Sequence, residues 1–180
     1  MLAKAARRRK MLLEYMDRLD FTGIDCGKCR GTCCTFEANS MQITAEETEE
    51  IYAYLQDNNL LTPELIQHLK DTVRDYRLDQ PLPGNGLRTF SRRTYTCPFL
   101  GAPPLACKLP REVKPFGCLG FNPQKSGETE GRSCFSDQKL LEKHAAQVHN
   151  DTSTEKAPIP VALLQKHYQQ NPIVKQDNMN

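Results

Sequence analysis

Apolar residues recur at helical spacing in five stretches of the chain, with polar residues between them. An apolar stripe that repeats every three or four residues is typical of a helix packed on a core. The pattern predicts helices at about 3–20, 45–57, 63–76, 137–149 and 160–169. The chain is therefore expected to be mainly α-helical.

Two of these helices have clear start signals. Thr44 is a good N-cap, and Glu47 three residues later completes a capping box. Thr62 precedes Pro63, a residue that is favoured at the first helical position because its missing N–H is not needed there. The side chains expected to face inward are Ile51, Tyr54, Leu55, Leu65, Leu69, Val73 and Tyr76.

The middle of the chain lacks a regular pattern. Prolines and glycines interrupt it from Asp79 onwards and predict loops, and within this region Thr89–Thr96 has the composition of a short strand. Leu, Ile, Val and Phe make up only 38 of 180 residues, and there is no Trp. This share is near the roughly 20% below which chains tend toward disorder, so an additional cross-link is expected to stabilise the fold.

Eight cysteines supply a candidate for that cross-link. The spacing of Cys26 and Cys29 lets the chain turn so that both sulfurs point at one centre, as in tetrahedral thiolate sites. Cys33 and Cys34 are adjacent, so their side chains are expected to point in different directions. They therefore predict either two metal centres or a cluster, or a single centre that one of them binds while the other lies outside the ligand shell. The candidate metal ligands are Cys26, Cys29, Cys33, Cys34, Cys97, Cys107, Cys118 and, outside the main pattern, Cys134.

The neighbours of the cysteines also carry predictions. Cations near a thiol lower its pKa, and this effect is expected from Lys28, Arg30, Lys108, Arg111 and Lys114. Apolar side chains are expected to keep water from the site, namely Phe36, Met41, Phe99, Phe116, Phe121 and Phe135. A structural metal contributes about 10 kcal/mol to folding in small metal-dependent domains.

The predicted fold class is thus mainly α with long irregular, cysteine-rich loops, a small α or α+β domain stabilised by metal. Three regions are expected: an N-terminal basic helix (1–20), a cysteine-cluster metal-binding domain (21–150), and a C-terminal helix with a flexible tail (151–180). Two other uses of the cysteines stay open, as buried apolar residues or as disulfides, which need an oxidising compartment. The N-terminus has no apolar signal-peptide core, which favours a cytoplasmic protein with reduced thiols.

The cysteine pattern resembles the YkgJ-like cysteine-cluster family, described as a zinc- or iron-chelating domain. The resemblance covers roughly residues 20–121 and rests on Cys26-x2-Cys29-x3-Cys33-Cys34, Ile43-Thr44 and Cys97-Pro98-Phe99-Leu100. The family continues with a cysteine, an Arg-Pro pair and another cysteine. The counterpart in this chain is Cys107, then Lys114-Pro115, then Cys118, so a lysine stands where the family has arginine. The resemblance implies metal chelation and no particular reaction.

The first functional hypothesis is therefore a protein that chelates zinc or iron through cysteine thiolates. The alternatives are an iron–sulfur redox or catalytic protein, and a zinc-stabilised nucleic-acid-binding module that uses Arg7–Lys10 or Arg88–Arg93. Without such a partner, the basic run Arg7–Lys10 is expected to be a solvated or frayed helical turn. A formal net charge of +2 argues against nucleic acid as the partner. The sequence has no recognisable catalytic motif and no apolar run long enough to predict a membrane span.

Overall fold

The computed structural model is mainly helical in the part of the chain that it describes, as predicted. That part comprises residues 6, 7, 9–14, 17, 34–37, 39–80, 93–102, 107–119, 121–122, 135–136 and 156–172, with 121–122 and 135–136 described by their backbone alone. The helices are α1 (Ala45–Asp57), α2 (Pro63–Tyr76), the single turn α3 (Phe116–Leu119) and α4 (Ile159–Gln170), with a 3₁₀ turn at Arg111–Val113. The strands are β1 (Gln42–Ile43), β2 (Phe121–Asn122), β3 (Phe135–Ser136) and β4 (Ala157–Pro158).

The start signals of α1 and α2 work as predicted. The Thr44 hydroxyl accepts a hydrogen bond from the backbone N–H of Glu47, and the Glu47 carboxylate accepts one from the N–H of Thr44. At α2, the Thr62 hydroxyl accepts from the N–H of Leu65, and Pro63 occupies the first helical position. Each bond satisfies a backbone donor that the helix itself cannot pair.

The core lies where α4 packs across α1 and α2. Antiparallel pairing of β1 with β4 brings α4 there, with Gln42 opposite Pro158 and Ile43 opposite Ala157. β2 and β3 form a second antiparallel pair. The most deeply buried side chains of the core are Ile43, Ile51, Leu55, Leu69, Ile159 and Leu163.

Several details of the helices and of the predicted strand differ from expectation. Tyr54 and Leu65 are half-buried and pack against the core, as predicted, but Tyr52 and Ile66, which were not predicted to face inward, are buried more deeply. Tyr52 faces α4, where its hydroxyl lies 3.1 Å from Nδ1 of His167. The strand predicted at Thr89–Thr96 is wrong for 93–96, which form no strand, and its first residues lie outside the described part.

The terminal helices follow the prediction where they are described. Residues 6, 7, 9–14 and 17 are helical, and Leu12 is fully buried. The C-terminal helix begins at Ile159 and ends at Gln170, one residue longer at each end than predicted. The helix predicted at 137–149 lies outside the described residues. No described helix is long and apolar enough to cross a membrane.

Candidate metal centre

The structure places an early cysteine directly beside a late one. The backbone N–H of Cys97 donates to the carbonyl of Cys34 at 2.7 Å. The same two segments are joined further along by Asn39 and Tyr95. The N–H of Tyr95 donates to the Asn39 carbonyl at 2.9 Å, and the Asn39 side-chain amide donates to the Tyr95 carbonyl at 2.9 Å. These bonds fix the position of the Cys34 segment against the segment that leads into Cys97.

The side chain of Tyr95 also holds these segments together. It is fully buried, its hydroxyl donates to the Met41 carbonyl at 2.6 Å, and the same oxygen accepts from the N–H of Ile159 at 3.1 Å. One phenol therefore links the segment before β1, the segment before Cys97 and the start of α4. Burial raises the pKa of Tyr95 well above its usual value, and the charges of Cys97 and Cys118 raise it further. This effect places both thiols near the tyrosine.

Cys107 and Cys118 reach the same region from a third stretch of chain. The loop after Cys97 turns back on itself, since the N–H of Leu100 donates to the Cys97 carbonyl and the N–H of Lys108 donates to the Phe99 carbonyl. Cys107 lies directly before Lys108, the donor of the second of these bonds. Cys118 lies in α3, whose last N–H, from Leu119, bonds to the Pro115 carbonyl at 3.1 Å. The four described cysteines are half-buried and carry reduced thiols.

The pKa values of two of these thiols are raised. Burial raises the pKa of the Cys97 thiol strongly, and the charges of Cys34 and Cys107 raise it further, whereas the Phe99 N–H lowers it. Burial also raises the pKa of Cys118 well above its usual value, and Cys97, Cys34 and Cys107 all add to that increase. Ionisation of any one of these thiols therefore disfavours ionisation of Cys118.

The predicted effect of the flanking cations is only partly correct. Lys114 is buried, and its charge lowers the pKa of Cys118. The net shift is nevertheless upward because desolvation outweighs this attraction. Lys108 is exposed, and Arg111 donates to the Asp17 carboxylate at 3.2 Å. Lys28 and Arg30 lie outside the described residues.

Two of the residues predicted to keep water from the site are buried. Phe99 and Phe116 are buried. Met41 is half-buried and packs on α3 so closely that a Cβ atom on Gly117 would lie 2.6 Å from the methionine sulfur. Phe36 does not screen the site, because 55% of its surface is exposed. The side chains of Phe121 and Phe135 are not described, although their strands pair with each other.

Arg9 belongs to this region and not to solvent, contrary to the expectation of a solvated basic run. It is buried, its guanidinium forms an ion pair with Glu50, and it donates to the Lys114 carbonyl at 2.7 Å. The same group lies 4.8 Å from the centre of the Phe116 ring, in a cation–π contact. Arg7 and Lys10, by contrast, are exposed. Arg9 therefore attaches the N-terminal helical segment to the turn that carries Cys118.

The sequence predicted that Glu47 caps α1 but not that its side chain also binds the backbone near Cys118. The capping box explains its bond to Thr44, and its second carboxylate oxygen accepts the backbone N–H of Phe116 at 2.7 Å. The side chain is only 4% exposed. A capping box gives no indication of a distant partner, so no local signal could have identified this bond.

Half of the predicted ligands lie outside the described residues, namely Cys26, Cys29, Cys33 and Cys134. Among the residues that are described, no three His, Cys, Asp or Glu side chains are placed so that they could together hold a metal ion. The four described thiols are thus gathered in one region without forming a complete coordination shell. Any centre built on them needs further donors or a closer approach of the sulfurs.

A scan against models of protein families gave no match, and searches of curated proteins and of solved structures gave none either. The resemblance of Cys26–Cys34 to the YkgJ-like family therefore stays a prediction, and the site is interpreted from its own residues.

Proposed function

We propose that this protein binds zinc or iron through a cluster of cysteine thiolates. The observation that carries the proposal is the backbone hydrogen bond from Cys97 to Cys34, which joins the early cysteine group to the late one. Cys34, Cys97, Cys107 and Cys118 form no disulfide with one another, and thiols that are not cross-linked are ligands that suit a soft metal ion. A reducing compartment such as the cytoplasm keeps them available.

The remaining predicted ligands complete the set. Cys33 is adjacent to Cys34 in sequence, so the early thiols necessarily lie within a short length of chain from the described cluster. Cys26 and Cys29 add the two-residue spacing that suits tetrahedral thiolate coordination. With Cys134 the chain offers more sulfur ligands than one tetrahedral ion uses, which favours two centres or an iron–sulfur cluster. In either case the metal joins loops that the sparse apolar core does not fix by itself.

The nucleic-acid alternative loses part of its basis. Arg9 is buried against Phe116 and Glu50 and cannot contact a phosphate backbone without unfolding that contact. Arg93 is only partly exposed, and Arg88 and Arg92 lie outside the described residues. The metal-binding proposal needs none of these side chains.

The test is elemental analysis of protein purified anaerobically without a metal-affinity column. Zinc in a colourless protein supports a zinc site, whereas iron with acid-labile sulfide and a brown colour supports a cluster. A chelator should lower the melting temperature in either case. A metal-free protein that takes up neither metal, and whose melting temperature a chelator leaves unchanged, would overturn the proposal.

A further inference from the structure

The carboxylate of Glu47 joins two parts of the chain that are far apart in sequence. One oxygen accepts the N–H of Thr44 at 2.8 Å and caps α1, and the other accepts the N–H of Phe116 at 2.7 Å. Glu47 and Thr44 are 4% and 3% exposed. Both hydrogen bonds are therefore shielded from water, where a charge-assisted bond to a backbone donor is strong.

Phe116 is the first residue of α3, and Cys118 follows two positions later within that single helical turn. A bond to the Phe116 N–H therefore sets the place and direction of the turn that presents the Cys118 thiol. A four-residue helix has little stability of its own, so its position depends on contacts made by other elements.

Two further contacts hold α3 from other sides. The Arg9 guanidinium lies over the Phe116 ring and donates to the Lys114 carbonyl just before the turn. The Met41 side chain packs against Gly117. Two of the three contacts lead to the core helix α1: Glu47 is itself a residue of α1, and Arg9 pairs with Glu50 of the same helix. The Glu47 contact is the more direct one, because its carboxylate binds the backbone of α3 without an intervening side chain.

We infer that Glu47 is a positioning residue for the metal centre, which holds the Cys118 thiol toward Cys34, Cys97 and Cys107. This inference rests on the proposed metal-binding function. Groups that orient a ligand without touching the metal contribute about 10- to 100-fold to metal affinity in well-studied sites. Glu47 does this through the backbone of α3.

The experiment is a titration of the reduced, metal-free protein with Co²⁺, followed by the thiolate-to-cobalt charge-transfer absorption. Glu47→Ala removes both bonds of the carboxylate. Thr44→Ala is the matched control, because it removes one bond of the same capping box and leaves the Glu47–Phe116 bond in place. A lost cap costs about 1 kcal/mol of stability, so the two variants share that loss.

Glu47→Ala is expected to weaken Co²⁺ binding by about 10-fold or more and to reduce the charge-transfer intensity per bound ion, as for a lost thiolate ligand. Thr44→Ala should bind like the wild type. In a Cys118→Ser background, Glu47→Ala should cause no additional loss, because the ligand that it positions is absent; a double-mutant cycle measures this coupling.

The outcomes separate the two proposals. A wild-type protein with no thiolate-to-cobalt band contradicts metal binding itself. Normal wild-type binding with equal affinities for Glu47→Ala and Thr44→Ala, or a full additional loss in the Cys118→Ser background, overturns the positioning role alone. If Glu47→Ala is insoluble, Glu47→Asp replaces it, since this carboxylate keeps its charge but is shorter by one methylene and cannot keep both bonds. The same weakening is then expected.

Discussion

The backbone N–H of Cys97 donates to the carbonyl of Cys34 at 2.7 Å. This bond places the end of the early cysteine group against the beginning of the late one, and it does so through main-chain atoms. The bond involves neither of the two side chains. Replacing either side chain by serine should therefore leave the backbone contact intact and change only the chemistry of the site.

Cys97→Ser is expected to lower both the metal content and the melting temperature. Each kcal/mol corresponds to about 2–4 °C in a chain of this size, so a decrease of roughly 5 °C or more is expected from a lost structural ligand. Cys29→Ser should act in the same direction. Elemental analysis and thermal unfolding with and without chelator check this. Ala102→Ser, at an exposed position of the same loop, is the control, and unchanged values for Cys97→Ser would contradict its assignment as a ligand.

Arg9→Met should destabilise the protein although it lies in a run of basic residues. The substitution leaves Glu50 without its cation and removes the donor to the Lys114 carbonyl. Unfilled buried hydrogen bonds cost about 1–3 kcal/mol, and a loss in that range is expected from urea unfolding. Arg7→Met, at an exposed position of the same helical segment, should stay within about 0.5 kcal/mol of the wild type. Equal effects of the two substitutions would show that Arg9 is solvated.

Tyr95→Phe should also destabilise, because one hydroxyl satisfies two backbone groups. The Met41 carbonyl loses a donor and the Ile159 N–H loses an acceptor. The expected loss is about 1–3 kcal/mol, the usual range for polar groups left unsatisfied in the interior. Tyr76→Phe removes a half-buried hydroxyl bond to Thr96 and should cost about 0.5–1.5 kcal/mol. Denaturant unfolding of both variants compares them, and a smaller loss for Tyr95→Phe would argue against its bridging role.

The pH dependence of stability should carry a contribution from His167. Burial lowers the pKa of His167 below its usual 6.5, and the charge of Lys70 lowers it further. The unfolded chain therefore binds a proton more readily, so that this contribution to stability is present above pH 6.5 and is lost as the pH falls through the folded pKa.

His167→Gln should flatten this part of the stability profile, and Lys70→Met should raise the pKa of His167 in the folded protein. Urea unfolding over the range of about pH 5–7 and the proton resonances of His167 measure the two effects. If His167 titrates at or above its usual pKa in the folded protein, burial does not disfavour its charged form and the expected pH dependence is wrong.

The sequence predicted those features that depend on neighbouring residues. Thr44, Glu47, Thr62 and Pro63 act within one turn of helix, and both helix starts are found at the predicted residues. The apolar stripe of α2 was predicted in part, since Leu69 is buried and Leu65 is half-buried against the core, whereas the buried Ile66 was not predicted. A helix stripe is wide enough that its centre depends on the direction from which α4 approaches, and no local pattern contains that direction.

The site also combines features that follow from neighbouring residues with features that depend on distant contacts. The cysteine spacing predicted a shared site, and the structure joins Cys34 to Cys97 through their backbones. The bonds that hold them there come from Asn39, Tyr95, Glu47 and Arg9, whose partners lie far along the chain. The sequence predicted Arg9 as one of several exposed cations and Phe36 as a cover for the thiols. Burial of a charged group and exposure of an aromatic one both depend on tertiary contacts, so composition alone could not assign them.

The pairing of β1 with β4 has a consequence for the order in which the molecule is completed during synthesis. Ile51 and Leu69 have their partners in α4, and Tyr95 binds the first N–H of that helix. A nascent chain that has released its cysteines from the ribosome, but not yet Ile159–Gln170, lacks both the pairing of β1 with β4 and the hydrogen bond from Ile159 to Tyr95. If the protein binds metal as proposed, full-strength binding would then follow the release of α4, and shortening the chain before Ala157 is expected to weaken it even though every sulfur is retained.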